Sequence, residues 1–134
     1  MNVTRVDHIG FAVKNLEESV RWYEETLGIR SAGVETVAEQ KVKVAFLPCG
    51  DSELELLEST ETDGPIARFI EKNGEGMQHI ALRVDDIDAA LRELKDKGIR
   101  LLDETPRRGA GGAKIAFVHP KMTKGVLLEL CERE

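Results

Sequence analysis

Two short stretches, VDHIGFAV and, 71 residues later, MQHIALRV, each set a histidine early in an alternating apolar run. The histidines are His8 and His79. Two glutamates keep nearly the same rhythm. Leu54-Glu55-Leu56 comes 47 residues after His8, and Leu128-Glu129-Leu130 comes 50 residues after His79. A carboxylate between leucines costs several kcal/mol if it is buried unpaired. A bound cation would remove that penalty. His8, Glu55, His79 and Glu129 thus form a candidate N/O ligand set, repeated once along the chain. Such a set suits Co2+, Ni2+, Zn2+ or Mn2+, with positions left for water or substrate. Taken singly, each histidine reads as a satisfied core residue and each glutamate as solvent-facing; the repetition favours the metal.

The elements that must hold these residues also repeat. Thr4–Val13 alternates as a strand, with Ile9, Phe11 and Val13 on one face and Val6, His8, Gly10 and Ala12 on the other. The histidine face is small, which leaves room for a cavity; the opposite face is large and suited to cover by helices. Asn15 and Glu18 form a capping box, Leu16, Val20, Tyr23 and Leu27 recur at helical spacing, and Gly28 stops the helix. QKVKVAFLP and SELELLE follow as strands around a Gly50-Asp51 turn. Gly64-Pro65 opens a short linking helix that ends at Asn73-Gly74. Then the order restarts: a strand at Gln78–Val84, an Asp86-capped helix closed by Gly98, and strands in IRLLDE, AKIAFVH and GVLLELC. The expected fold class is α+β. Two tandem βαβββ modules form a shared, curved, mixed sheet with a metal-binding cleft and helices on its outer face. The chain reads as one domain, 1–134, with module 1 at about 4–60, the linking helix at about 64–74 and module 2 at about 76–132.

Composition limits the function classes. Hydrophobic residues at 41 % with 33 % charged fit a globular chain, and no apolar run reaches membrane-spanning length. Cys49 and Cys131 lack metal-like spacing and read as free thiols of a reducing cytoplasm. The net charge of −6 argues against nucleic acid. Yet no acid occurs from Thr105 to Leu128, where Arg107, Arg108, Lys114, Lys121 and Lys124 stand. That stretch is either a solvated loop or a grip for a phosphorylated ligand. His119, in HPK before a loop, shapes a turn or touches ligand.

The paired DHIGFAV and QHIALRV modules resemble the vicinal oxygen chelate superfamily. Within it, NGEGMQHIALRVDDIDAAL, GAGGAKIAFVHPK and KGVLLEL resemble the methylmalonyl-CoA epimerases, nearly end to end. The resemblance implies an isomerase that removes and returns the C2 proton of methylmalonyl-CoA through a metal-stabilised enolate. It implies a divalent ion, Co2+ first, held by His8, Glu55, His79 and Glu129, with Glu129 also an acid/base. Some members carry a glutamine at Glu55. The family's other base maps onto Val44, a departure that leaves Glu39, Lys43 or a water to serve. Arg107, Arg108, Gly109, Gly111, Gly112, Lys114, His119 and Lys121 are then the expected contacts to the coenzyme A ester, the glycines by offering backbone N–H groups to phosphate. A homodimer in the cytoplasm, with no nucleic-acid or membrane partner, completes the expectation.

Two other functions share the frame. A glyoxalase I-type lyase would use the same ligands on a glutathione hemithioacetal. A non-enzymatic small-molecule-binding protein would need the cavity but not four ligands. An extradiol dioxygenase, with a His/His/Glu triad at iron, leaves the fourth ligand unexplained.

Overall fold

A computed structural model describes residues 1–134. Its contacts fall into two compact units, Ile9–Gln78 on one hand and Met1–His8 with His79–Glu134 on the other. The element order is βαβββ twice, with one helix between: β1 Val3–Ala12, α1 Leu16–Leu27, β2 Gly33–Val37, β3 Val42–Cys49, β4 Ser52–Ser59; α2 Pro65–Asn73; β5 Gly76–Val84, α3 Ile87–Asp96, β6 Arg107–Arg108, β7 Lys114–Val118, β8 Leu128–Glu132. Parallel and antiparallel pairs both occur, so the α+β, mixed-sheet reading holds. No helix is long and apolar enough to cross a membrane.

In the unit Ile9–Gln78, β2, β3, β4 and the end of β1 follow one another in hydrogen-bonded order. Asn15 Oδ1 accepts from the Glu18 N–H at 3.0 Å and starts α1 as its spacing predicts. Gly28, at φ 70°, stops it. The left-handed turn carries Ile29 back to donate its N–H to the Tyr23 carbonyl, so Ile29 joins the Leu16, Ala45, Leu47 and Leu56 cluster. This corrects the expected helix face: Leu27, just before the turn, is left exposed.

In the other unit the order is β1, β5, β8, β7, β6. β8 runs parallel to β5 and antiparallel to β7. Val84, Ile87, Ala90, Leu91, Ala116 and Leu130 form its apolar cluster under α3. Asp86 Oδ1 caps α3 through the Ala89 N–H, as expected. IRLLDE, expected to be a strand, contributes only an isolated bridge from Leu101 to Val118. The cause is local. Leu102 and Asp103 both donate their N–H groups to the Phe117 carbonyl, and Asp103 Oδ2 takes the Phe117 N–H that a ladder would have used. The strand beside β7 is instead the two-residue β6.

Each unit ties its candidate ligand strand to a helix by one device. Three residues beyond Glu55, Glu58 Oε1 accepts the Leu16 N–H at 2.8 Å. Three residues beyond Glu129, Glu132 Oε1 accepts the Ile87 N–H at 2.9 Å. Each carboxylate satisfies an otherwise orphan donor at a helix N-terminus and lies where the helix dipole favours negative charge. Glu132→Ala should cost about 1 kcal/mol of stability, the usual size of a lost cap. Glu132→Gln, which keeps the oxygen acceptor, should retain most of it. Chemical denaturation of the three proteins checks this; equal losses would contradict the capping role.

Candidate metal centre

The sheet assembles three of the four proposed ligands within one unit. On β5, His79 and Ala81 share a face, because side chains alternate along a strand. The registers place Glu129 of β8 beside Ala81 on one side and Phe117 of β7 on the other. Ala81 is fully buried and small, so it leaves space for its long neighbours. Phe117 meets the His79 ring edge-on at 5.7 Å. His8 enters from β1. Its Nε2 lies 3.0 Å from His79 Nε2 and 3.5 Å from Glu129 Oε2, and His79 Nε2 lies 3.4 Å from Glu129 Oε1. All three side chains are buried.

Burial dominates the electrostatics. It pushes the Glu129 carboxyl up to about 7, against an opposing pull from His8. Burial, then the facing His8, takes the His79 imidazole down to about 3. Glu129 Oε2 is buried with no hydrogen bond. Asp7 behaves differently. Burial alone would raise it, but hydrogen bonds from His8, Arg133 and Arg83 outweigh that and hold it well below the carboxylate range. Sequence reading missed Asp7. The Asp-His pair within a strand was the available signal, since a ligand histidine wants a partner on its second nitrogen.

These donors fit a divalent cation. Ligand bonds of about 2.1 Å put neighbouring donors about 3.0 Å apart at right angles and about 3.4 Å apart at tetrahedral angles. The spacings found, 3.0, 3.4 and 3.5 Å, span that range. A cation would also satisfy the buried Glu129 Oε2.

The fourth candidate, Glu55, lies on β4 in the unit Ile9–Gln78 and is likewise buried. In that unit Val44 is buried on β3, while Lys43 is exposed on the opposite face and Glu39 is exposed in the turn Ala38–Gln40. The β2–β3 register sets Glu35 directly across from Val44, half-buried on the same face. A carboxylate therefore stands next to the place where the resemblance expects one.

The basic stretch forms part of a surface hollow of about 340 Å3. Arg107, Arg108, Gly112 and Lys114 line it, together with Asp88. Acids from elsewhere in the chain meet these bases. Arg107 pairs with Asp103 at 3.2 Å, and Lys114 lies 3.7 Å from Asp88 and 4.0 Å from Glu132. The Arg107 guanidinium sits 5.5 Å over the Phe117 ring, so Phe117 joins the hollow to His79. The glycines have packing reasons of their own. A Cβ at Gly109 would stand 2.7 Å from Ile115 Cγ2, and one at Gly111, where φ is 70°, would stand 2.9 Å from Arg133 Nη1. His119 shapes a turn. Its Nδ1 accepts the Lys121 N–H, capping Pro120–Met122. Lys121 is exposed, and neither residue lines the hollow.

Comparison with known proteins gives a consistent result. Residues 7–117 match the family described as the Glyoxalase/Bleomycin resistance protein/Dioxygenase superfamily. The chain is 45 % identical over 130 residues to the uncharacterized Bacillus subtilis protein YqjC, covering 97 % of this chain and 93 % of that one. It is 41 % identical over 130 residues to the human mitochondrial methylmalonyl-CoA epimerase, covering 96 % of this chain and 74 % of the relative. Among solved structures, a variant of Streptomyces coelicolor methylmalonyl-CoA epimerase in complex with 2-nitronate-propionyl-CoA is 42 % identical, with a TM-score of 0.92 over 98 % of this chain and 95 % of the other.

The buried cluster has a pH signature. Glu129 holds its proton more tightly folded than unfolded, so without metal its contribution to stability falls as pH rises from about 4.5 to about 7. His79 runs oppositely, its contribution growing as pH rises from about 3 to about 6.5. Glu129→Gln removes the first effect and keeps the second. The stability advantage of Glu129→Gln over wild type, both treated with chelator, should widen by a few kcal/mol between pH 5 and pH 7 and level off above. Thermal unfolding across that range reads it; a pH-independent gap would contradict a carboxyl buried in this way.

Proposed function

The chain belongs to the Glyoxalase/Bleomycin resistance protein/Dioxygenase superfamily, and on that footing we propose that it interconverts the C2 epimers of methylmalonyl-CoA. The observation that carries the reading is the buried His8–His79–Glu129 cluster, found in a chain 41 % and 42 % identical to two methylmalonyl-CoA epimerases over nearly its whole length. The hollow lined by Arg107, Arg108 and Lys114, joined to the cluster through Phe117, supports a phosphorylated coenzyme A ester over a glutathione adduct.

The C2 hydrogen lies between a thioester and a carboxylate, so its removal leaves an enolate whose charge collects on the thioester oxygen. A bound divalent ion, Co2+ foremost with Ni2+, Zn2+ or Mn2+ as alternatives, supplies Lewis-acid stabilisation of that charge. His8 and His79 hold it through Nε2 and Glu129 through a carboxylate oxygen. Glu55 enters as the fourth ligand on its place in the sequence repeat. Glu129 also moves the proton, at the oxygen left over when the other holds the ion. Phe117 excludes water beside His79. Inversion calls for a second proton carrier. Val44 has none to offer, and Glu35, across the ladder from it, is the group proposed. Arg107, Arg108 and Lys114 bind the coenzyme A phosphates. The two free thiols support a cytoplasmic location, and homodimer assembly rests on the superfamily's habit.

Glu129→Gln keeps an oxygen ligand but loses the basic oxygen. It should retain metal and lose about two or more orders of magnitude in epimerisation. His79→Ala should lose both metal and activity while staying folded. Metal analysis and a stereospecific coupled assay read these outcomes. Near wild-type turnover by the Gln variant, or full metal occupancy in the Ala variant, would refute the roles given.

Paired replacement of Arg108 and Lys114 by Gln should raise KM more than it lowers kcat, because phosphate contacts bind ground and transition states alike. An unchanged KM would make the hollow a solvated surface. Efficient turnover of the methylglyoxal–glutathione hemithioacetal, with none of methylmalonyl-CoA, would replace the epimerase by a lyase.

A further inference from the structure

Asp7 stands directly behind His8 and is almost wholly buried, 3 % exposed. Its two oxygens receive four donor contacts. Oδ1 faces His8 Nδ1 at 2.7 Å and Arg133 Nη2 at 3.0 Å. Oδ2 faces Arg83 Nε at 2.8 Å and Arg133 Nε at 2.9 Å. Arg133 thus grips the carboxylate with a two-pronged fork, the strongest form of this pair. The glycine-rich turn backs that fork, because at Gly111 a Cβ would stand 2.9 Å from Arg133 Nη1. A carboxylate clamped by two guanidinium groups can only accept, so the proton in the Asp7–His8 contact belongs to His8 Nδ1. A neutral imidazole protonated there carries its lone pair on Nε2, the atom that faces His79 and Glu129.

We propose that Asp7, fixed by Arg83 and Arg133, is a positioning residue that locks His8 in the Nδ1–H tautomer and aims its Nε2 lone pair at the metal centre. The proposal rests on the metal reading above. It has a specific consequence. An asparagine at this place has one acceptor and one NH2 group. The acceptor goes where two arginine donors converge, at the Oδ2 position. The NH2 then faces His8 Nδ1, donates to it, and moves the ring proton to Nε2, where it blocks the ligand lone pair.

The test uses the full chain, labelled with 15N-histidine and freed of metal. Long-range 1H–15N spectra, recorded at a pH high enough that His8 carries a single proton, should show that proton on Nδ1 in the wild type. In Asp7→Asn, His8 should carry its proton on Nε2, and Zn2+ affinity, read by competition with a chelating dye, should fall about 10- to 100-fold. Wild-type His8 protonated on Nε2 would overturn the proposal, and that spectrum decides even if the Asn variant does not fold. So would an Asn variant with wild-type Zn2+ affinity. Adding Zn2+ to the wild type should shift the Nε2 signals of His8 and His79. No shift would overturn the metal reading and the metal-directed role with it, whereas a tautomer switch in Asp7→Asn would still show Asp7 setting the ring, so the two failures are distinguishable.

Discussion

Within 3.5 Å of one another, and out of water, stand one carboxylate and two imidazoles. A lone ionised carboxylate would be penalised by several kcal/mol, and protonation or a cation are the ways out. Without metal, burial moves Glu129 toward the first, raising its carboxyl to about 7, and keeps the His79 imidazole neutral. A bound cation would displace the proton from Glu129 and satisfy all three groups. Metal binding, proton release and stability are therefore linked quantities of a single cluster.

The surrounding structure makes that cluster possible. Ala81 and the parallel β5–β8 register give Glu129 a place beside His79. Asp7 supplies His8 with a fixed partner from the far side. Arg133 leads from Asp7 to the glycine-rich turn, and Phe117 leads from His79 to Arg107 and the basic hollow. Site and hollow are thus joined by side chains already in contact. The glutamates three residues beyond each candidate ligand hold the helix starts to the same strands.

Much of this was legible in the chain because repetition and periodicity are local signals. His8, His79 and Glu129 follow from the two matching strands, and the caps at Asn15, Asp86 and Gly28 follow from residue type. What escaped depends on contacts distant in sequence. IRLLDE has strand-like composition, but Asp103 diverts the Phe117 N–H, a choice that no local pattern announces. Leu27 keeps the helical period yet loses its place to Ile29, because the Gly28 turn folds the chain back. The acid-free run around Arg107 looked uniformly basic until Asp103, Asp88 and Glu132 came up against it. Asp7 escaped because the partners that let it be buried, Arg83 and Arg133, lie far along the chain.

The central claim is that this cluster, loaded with a divalent ion, labilises the C2 proton of methylmalonyl-CoA. The most direct measurement is exchange of that proton for deuterium in deuterated water, followed by NMR, with enzyme as loaded, after chelation, and after chelation with Co2+ restored. The account predicts rapid exchange in the first case, near-complete loss in the second and recovery in the third. Exchange that proceeds unchanged in the chelated protein would contradict it.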